Sequence, residues 1–279
     1  MNKGIAVVTG ASSGFGLLTT IELAKRNFHV IATMRNLEKG ETLLQLGKQN
    51  GVEKQISLLE LDVTSESSIN HFKNYINELG SVDVLINNAG FAGAGFVEEI
   101  PLDEYRKQFE TNFFGLIAVT QACLPFMREK QKGKIINISS ISGRVGFPGI
   151  SPYVASKHAV EGFSECLRLE MKPFGVEVIL IEPGSYKTNI WSTGKQVTEK
   201  SLNPNSPYFT YMRKIEEQLE KGEHNFGNPL DVANRIVQLA EEEKTSLRHP
   251  IGKGIKTAIF MKNLIPWRMW EKLFFKKLG

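Results

Sequence analysis

The sequence predicts an α/β fold of the doubly wound kind, a parallel β-sheet flanked by helices on both faces. Three observations carry this expectation. Short apolar runs alternate with longer segments of helical periodicity, from "IAVVTG" at residue 5 to "VEVILIEPG" at residue 176. The runs are apolar throughout instead of alternating with polar residues, as strands covered on both faces are. A glycine-rich turn, "TGASSGFG", joins the first run to the first helical segment, and in such folds ligands lie beyond the carboxyl ends of the strands.

The elements follow in order. "IAVVTG" is the first strand and Gly16 to Arg26 the first helix. "FHVIAT" is the second strand, followed by a charged helix from Leu37 to Asn50. "QISLLELD" is the third, with a helix from about Glu66 to Leu79. "VDVLINNAG" is the fourth, followed by a long helical region from Leu102 to Arg128. "GKIINISS" is the fifth, with a helix from about Ala155 to Lys172, and "VEVILIEPG" is the sixth. The rhythm then breaks. Ser185 to Gly227 contains Pro204 and Pro207 and the aromatics Trp191, Tyr208, Phe209 and Tyr211, the character of a lid or binding loop. Asn228-Pro229 reads as an N-cap followed by proline at the first helical position, opening a helix to about Glu243, and "RHPIG" adds a short last strand. The chain is read as one domain over residues 1–279, with a lid at about 185–227 and a basic extension at about 253–279.

Composition sets limits. At 279 residues, 41% hydrophobic and 23% charged, the chain can bury a large core without staples. Cys123 and Cys166 form no C-x-x-C pair, which fits a reducing, cytoplasmic setting and argues against disulfide or zinc frameworks. The five histidines have no metal-ligand spacing, so no metal site is expected. The N-terminal apolar run is only Ile5 to Val8, too short for a signal peptide, and no window suits a membrane-spanning helix. The net charge of +4 is uneven: residues 253–279 carry net +6, leaving −2 elsewhere. A general nucleic-acid footprint is therefore not expected.

Two features bear on chemistry. Gly10, Gly14 and Gly16 allow a tight turn and close approach of a pyrophosphate to backbone N–H groups at a helix N-terminus. Their G-x-x-x-G-x-G spacing departs from G-x-G-x-x-G. In "SPYVASKHAV", Tyr153 and Lys157 stand four residues apart, on one helical face. A free tyrosine, with a pKa near 10, is a poor proton carrier at neutral pH. A neighbouring ammonium favours the phenolate and lowers that pKa.

Taken in order, T-G-x-x-x-G-x-G (Thr9 to Gly16), Asp62-Val63, N-N-A-G (Asn87 to Gly90), Asn112 in "TNFFG", "SSISG", Y-x-x-x-K and P-G-x-x-x-T (Pro183 to Thr188) resemble the short-chain dehydrogenase/reductase family, single-domain Rossmann-fold NAD(P) enzymes. The resemblance covers roughly residues 3 to 190. It implies Tyr153 as general acid/base, Lys157 as its tuning partner and holder of the nicotinamide ribose, and Ser140 as donor to the substrate oxygen. Ser139 and Ser142 are rivals on sequence alone. Asn112 is implied in a water-mediated proton relay. On the cofactor, the resemblance implies Gly10, Gly14 and Gly16 at the pyrophosphate, Phe15 as a further contact, Ser12 and Ser13 assisting at a 2′-phosphate, Asp62 and Val63 at the adenine, and Asn87, Ala89 and Gly90 along the ribose side. Asn88 is expected to tie strands together. Pro183, Gly184 and Thr188 are implied beside the carboxamide.

NAD-specific relatives keep an acidic residue at the end of the second strand, and here Met34 and Arg35 stand there. The guanidinium suits a 2′-phosphate, so NADP(H) is the expected cofactor, with NAD(H) still admissible. Phe147 and Trp191 join Ser140 and Tyr153 as expected substrate contacts in an apolar pocket. "ATMR", the lid and the tail resemble steroid- and retinol-dehydrogenase-like members. The expected reaction interconverts a small apolar alcohol and its aldehyde or ketone. A 3-oxoacyl reductase and a nucleotide-binding regulator on the same fold are the alternatives. The tail "IPWRMWEKLFFKKLG" is expected to cap the pocket, with peripheral membrane contact as its other use. Family members commonly pair the helices after the fourth and fifth strands, so a homodimer or homotetramer is expected.

Overall fold

Residues 3–188, 190 and 194–278 are described by the structure, a computed structural model. Successive residues of each predicted strand feed two different cores, which is why the runs lack polar alternation. In β1 (Ile5–Thr9), Ala6 and Val8 face one side while Val7 faces the other. The first core packs β1 and β2 (His29–Met34) against α1 (Gly14–Lys25), α2 (Glu41–Gln49) and α9 (Pro229–Glu241) through Leu17, Ile21, Leu43, Val232 and Ile236. The second lies under α3 (Glu66–Leu79), α5 (Gly115–Glu129) and α6 (Ser151–Met171), through Phe72, Ile76, Val119, Met127 and Leu167.

With β3 (Ile56–Glu60), β4 (Val84–Asn87), β6 (Gly133–Ile138), β7 (Val176–Pro183) and β9 (Arg248–Ile251), these strands form a seven-stranded parallel sheet. Its order is β3-β2-β1-β4-β6-β7-β9. The chain winds outward one way from β1 and the other way from β4, and these two strands pair directly, Ala6 opposite Val84 and Val8 opposite Ile86. A crevice opens beyond their carboxyl ends, where the direction of winding reverses.

The last strand and the Asn228 cap follow the sequence reading: the Asn228 side chain accepts from the Leu230 N–H at 3.1 Å. Other boundaries differ. α1 begins at Gly14, two residues early, directly after the extended Ser13 at its N-cap. The predicted second helix splits into a 3-10 turn, Leu37–Gly40, and α2. The region from residue 102 divides into α4 (Leu102–Phe109), a π turn (Glu110–Phe114) and α5. α6 starts at Ser151, four residues early, since Pro152 in its first turn has no N–H to leave unsatisfied.

The expected lid is largely regular. It holds β8 (Lys195–Val197), α7 (Glu199–Leu202) and α8 (Phe209–Gly222). β8 pairs in parallel with β5 (Ala92–Ala94), a strand the sequence reading missed because three small residues show no period. The basic extension forms α10 (Ile255–Leu264) and α11 (Trp267–Leu278), and α11 packs on α8. Among the described residues no helix is long and apolar enough to cross a membrane.

Candidate active site

A cavity of about 340 Å3 follows the carboxyl ends of the sheet. Its wall takes Met34 and Arg35 at the end of β2, Leu61 to Val63 after β3, Gly10 and Ser12 to Phe15 after β1, Asn88 to Phe91 after β4, Ser139 and Ser140 after β6, and Pro183 and Gly184 at the end of β7. The five strand spacings from β3 to β7 give this row a length of about 24 Å. It is an elongated crevice, not a round hole.

At the middle of the row, Gly10 (φ +66°) and Gly14 (φ +55°) take the left-handed conformation that side chains resist. A Cβ on Gly10 would stand 2.9 Å from the Ala89 Cα. Ser13 caps α1 without a side-chain hydrogen bond, so the first N–H groups of the helix stay available to an anion. Gly16 has another role. It does not line the cavity, and a Cβ there would lie 2.4 Å from the Gly10 oxygen and 2.5 Å from Asn88 Nδ2. Its missing side chain lets α1 approach the turn. Asn88 joins the strands as expected, donating to the Thr9 and Gly10 oxygens at 2.9 and 3.1 Å. Thr9 Oγ1 in turn accepts from the Asn88 and Ala89 N–H groups at 2.9 and 3.0 Å.

Ser140, Tyr153 and Lys157 meet on the wall near β6. Tyr153 is 3% exposed and its phenol is hydrogen-bonded to the Ser140 hydroxyl. That separates the three serines: Ser142 stands off the cavity, while Ser139 lines it with a buried Oγ that has no partner among the described residues. Lys157 Nζ donates to the Ile138 oxygen at 2.7 Å and lies 5.6 Å from the centroid of the Tyr153 ring. The expected lowering of the tyrosine by the lysine is not what dominates here. Burial pushes the Tyr153 phenol up to about 12, against the pull of Ser140. Burial also pulls Lys157 down to about 8, with the Glu161 carboxylate opposing it.

Behind Lys157 lies a buried charge cluster that the sequence reading missed. Glu161, one helical turn beyond Lys157, accepts from Arg248 Nε at 2.9 Å. Glu182 on β7 accepts from Arg144 Nη1 at 3.1 Å and faces Arg248 Nε at 3.5 Å, and Arg248 Nη2 reaches Glu165 at 2.5 Å. Burial and the neighbouring Glu161 push Glu182 up to about 7 against the two arginines. One oxygen of each buried glutamate has no partner among the described residues.

Three other expected site residues stand off the cavity wall. Asn87 is 4% exposed and donates to Thr120 Oγ1 and Asn137 Oδ1, both at 2.9 Å. Its NH2 group ties β4 to α5 and β6, while its buried Oδ1 has no partner among the described residues. Asn112, in the π turn, accepts from the Phe91 N–H at 3.1 Å and donates to the Phe91 oxygen at 3.0 Å and Ser156 Oγ at 3.3 Å. Phe147 is half-buried without reaching the cavity. Trp191 lies outside the described residues. Thr188 does line the cavity, as do the unforeseen Tyr186, Ile190 and Gln196 from the lid segment.

The outer end of the row holds the cations. Arg35 and Lys39 both line the cavity and are exposed, and neither side chain makes an ion pair or hydrogen bond with the described residues. Lys39 was overlooked as part of a charged helix face; the 3-10 turn brings it round to Arg35. Met34 is 2% exposed and sits in the core, with its sulfur 3.2 Å from where a Cβ on Gly40 would be. Asp62 Oδ1 is occupied by the Thr64 N–H and hydroxyl at 2.9 and 2.7 Å. The donor set fits a phosphorylated dinucleotide: glycine backbone at a free helix start, then two uncommitted cations. No cluster of metal-ligating side chains occurs among the described residues.

Comparison with known proteins agrees with this geometry. A family model described as short chain dehydrogenase matches residues 4–198. The chain is 50% identical over 279 residues to the uncharacterized oxidoreductase YusZ of Bacillus subtilis (strain 168), covering 100% of this chain and 99% of that one. It is 36% identical over 264 residues to the 3-ketodihydrosphingosine reductase of Bacteroides thetaiotaomicron, covering 94% and 93%. With retinol dehydrogenase 8 of Bos taurus it shares 33% over 269 residues, covering 93% and 85%. A solved structure of ElxO with NADP bound superposes with a TM-score of 0.75 at 30% identity, covering 92% of this chain and 100% of that one. A doubly wound sheet with Ser140, Tyr153 and Lys157 on its crevice, a family model over most of the chain and a relative of equal length at half identity lead to one conclusion: the chain belongs to the short-chain dehydrogenase/reductase family of oxidoreductases.

Proposed function

We propose that this oxidoreductase uses NADP(H) to interconvert an apolar alcohol and its aldehyde or ketone, with Tyr153 as general acid/base. The observation that carries the reading is the meeting of a buried phenol, a hydroxyl and a buried amine on one wall of a dinucleotide-shaped crevice. When bound, the reduced nicotinamide supplies the hydride that goes to the carbonyl carbon. The chain's own residues do the rest. Ser140 donates to the substrate oxygen and holds it beside Tyr153. The Tyr153 phenol, kept protonated by burial, gives its proton to that oxygen as negative charge develops there. Lys157 holds the ribose and, as a cation, eases the loss of the phenolic proton. Asn112 supports a water-mediated relay to Lys157 while fixing the Phe91 backbone.

The preference for NADP(H) rests on Arg35 and Lys39, and the ElxO structure, which holds NADP, supports it. Asp62, Val63, Ala89 and Gly90 take the adenosine side, and Pro183, Gly184 and Thr188 the carboxamide side. The apolar substrate class rests on the aromatic and aliphatic lining from the lid segment, and on the names of the sphingoid and retinol relatives. Self-association is part of the reading. Phe114 and Leu169, 50% and 77% exposed, mark the faces of α4–α5 and α6 that would pair in a homodimer or homotetramer. The test is NADPH oxidation followed by absorbance with a panel of long-chain ketones and aldehydes. No turnover with any of them, together with tight NADPH binding, would favour a nucleotide-binding regulator instead.

A further inference from the structure

The tail was expected to cap the cavity. None of the residues on the cavity wall belongs to 253–278. The tail is instead anchored from behind. Ile259 is buried, and Ile255 packs on Gly184, where a Cβ would meet Ile255 Cδ1 at 2.4 Å. On α11 the half-buried side chains are Trp270 and Phe274, one turn apart. This leaves the outer face of both helices bare. Among the described residues, seven of the sixteen exposed large apolar side chains lie between Phe260 and Phe275. They include Phe260 at 63%, Leu264 at 65%, Trp267 at 56% and Phe275 at 59%.

The same face is cationic. Arg268, Lys272 and Lys276 are all exposed, and their spacing of four puts them in one stripe along α11. Met269 and Leu273 run along one border of that stripe and Phe275 along the other. Lys262 of α10 stands 4.7 Å from the centroid of the Trp267 ring, at the bend between the helices. Exposed large apolar groups in a patch mark a contact surface. The pattern of lysine and arginine heads among aromatic and aliphatic groups on a short surface helix is that of a helix lying in a membrane interface.

We infer that the outer face of α10 and α11 docks on an anionic lipid bilayer, with both helices parallel to the membrane plane. Charge complementarity selects this occupant. A second copy would bring net +6 against net +6 if the same faces met. A nucleic-acid backbone or an acidic peptide would satisfy the cations and leave Trp267, Leu273 and Phe275 in water. An anionic bilayer satisfies both: headgroup phosphates meet the stripe, and the acyl boundary takes the apolar borders. The docking stands on these residues and does not depend on the proposed activity. Combined with that activity, it has a consequence: α11 packs on α8, within the segment whose Ile190 and Gln196 line the cavity, so docking holds the substrate side of the crevice near the phase where apolar alcohols and ketones concentrate.

The test is cosedimentation of the full chain with phosphatidylcholine vesicles, with and without phosphatidylglycerol, at low and high salt. The expected result is binding to the phosphatidylglycerol vesicles, release by salt, and little binding to phosphatidylcholine alone. Reversing two exposed charges, Lys272→Glu with Lys276→Glu, should lower partitioning by about tenfold or more. Leu273→Ser with Phe275→Ser should lower it while leaving the salt release in place. Thermal melts of both variants should match the parent, because the four side chains are on the bare face. Absence of binding at low salt overturns the proposal, as does equal binding to both vesicle types. A change in sedimentation coefficient of the lipid-free Lys272→Glu/Lys276→Glu variant, with no vesicle binding by the parent, would assign the face to a second copy. Binding of the parent to an acidic peptide or nucleic acid but not to vesicles would also overturn it.

Discussion

Replacing Arg35 and Lys39 by alanine, singly and together, separates a phosphate site from an ordinary solvated surface. Both side chains are exposed and neither has a partner among the described residues, so their removal breaks no internal contact. Folding stability should stay within about 0.5 kcal/mol of the parent. A hydrogen bond to a charged group contributes roughly 1.5–3 kcal/mol, and solvent exposure argues for the low end of that range. At about 1.5 kcal/mol each, every substitution should weaken NADPH about tenfold, and the pair about a hundredfold. NADH, which lacks the 2′-phosphate, should bind nearly as before. The assay is a fluorescence titration with each nucleotide at two salt concentrations. The NADPH loss should shrink at high salt, because exposed charges are screened over roughly 10 Å at 0.1 M. Equal weakening of NADH and NADPH, or no weakening of either, would refute the reasoning. Met34→Asp is the poorer probe of the same question. Met34 is in the core, and a carboxylate there would confound nucleotide preference with instability.

Tyr153→Phe should lower turnover by about two orders of magnitude or more, with NADPH affinity kept; near-parental turnover would sink the proton-transfer role. Lys157 makes stability rise with pH: the unfolded chain holds its proton up to about 10.5 and the folded chain only to about 8. Between those values unfolding takes up a proton at Lys157, so this residue's contribution to stability rises with pH by up to about 3 kcal/mol, while the buried Cys123 thiol and Tyr153 phenol, both pushed up by burial, work against it toward the upper end of the window. In denaturant titrations across that window the parent should gain stability relative to Lys157→Met as the pH rises; a constant difference between the two would contradict the burial of the lysine. Glu161→Gln should move the alkaline fall of NADPH-dependent turnover to lower pH, since a carboxylate opposing the descent of Lys157 is gone; an unshifted profile with reduced stability would make Glu161 purely structural. Gly16→Ala puts a Cβ inside 3 Å of backbone oxygen, so it should cost about 1–3 kcal/mol and weaken NADH and NADPH alike. A melting temperature equal to the parent's would contradict that contact.

The parts of the fold legible in the sequence were those with a period. Strands such as β6 and β7, apolar on both faces, could be read because they feed two cores at once, and the Asn228-Pro229 start of α9 could be read because capping is local. β5 and β8 were invisible because a pair of three-residue strands is made by partners about a hundred residues apart. The wall formed by Ser140, Tyr153 and Lys157 was legible as spacing, yet its electrostatics were not. Tyr153 and Lys157 are four residues apart in any helix, and only burial reveals that desolvation is the largest cause of each group's shift. The motif around Asn87 was legible, but its tie to Thr120 and Asn137 was not, since those partners come from α5 and β6. Lys39 was hidden for the opposite reason: a 3-10 turn carried it from a presumed helix face to the crevice.

The bonds joining Thr9 and Gly10 to Asn88 and Ala89 have a meaning beyond holding two strand ends together. Four hydrogen bonds within 2.9–3.1 Å fix the two lips of the crevice by contacts internal to the protein. The cradle is therefore held by the protein's own contacts, and these four bonds involve neither Arg35 nor Lys39. Such a separation makes the site modular. On the proposed function, changes at Arg35 and Lys39 would alter nucleotide choice, and changes in the 185–227 segment substrate choice, without reopening the folding problem at the centre. A chain built this way can diverge at both ends of its crevice while its middle stays the same.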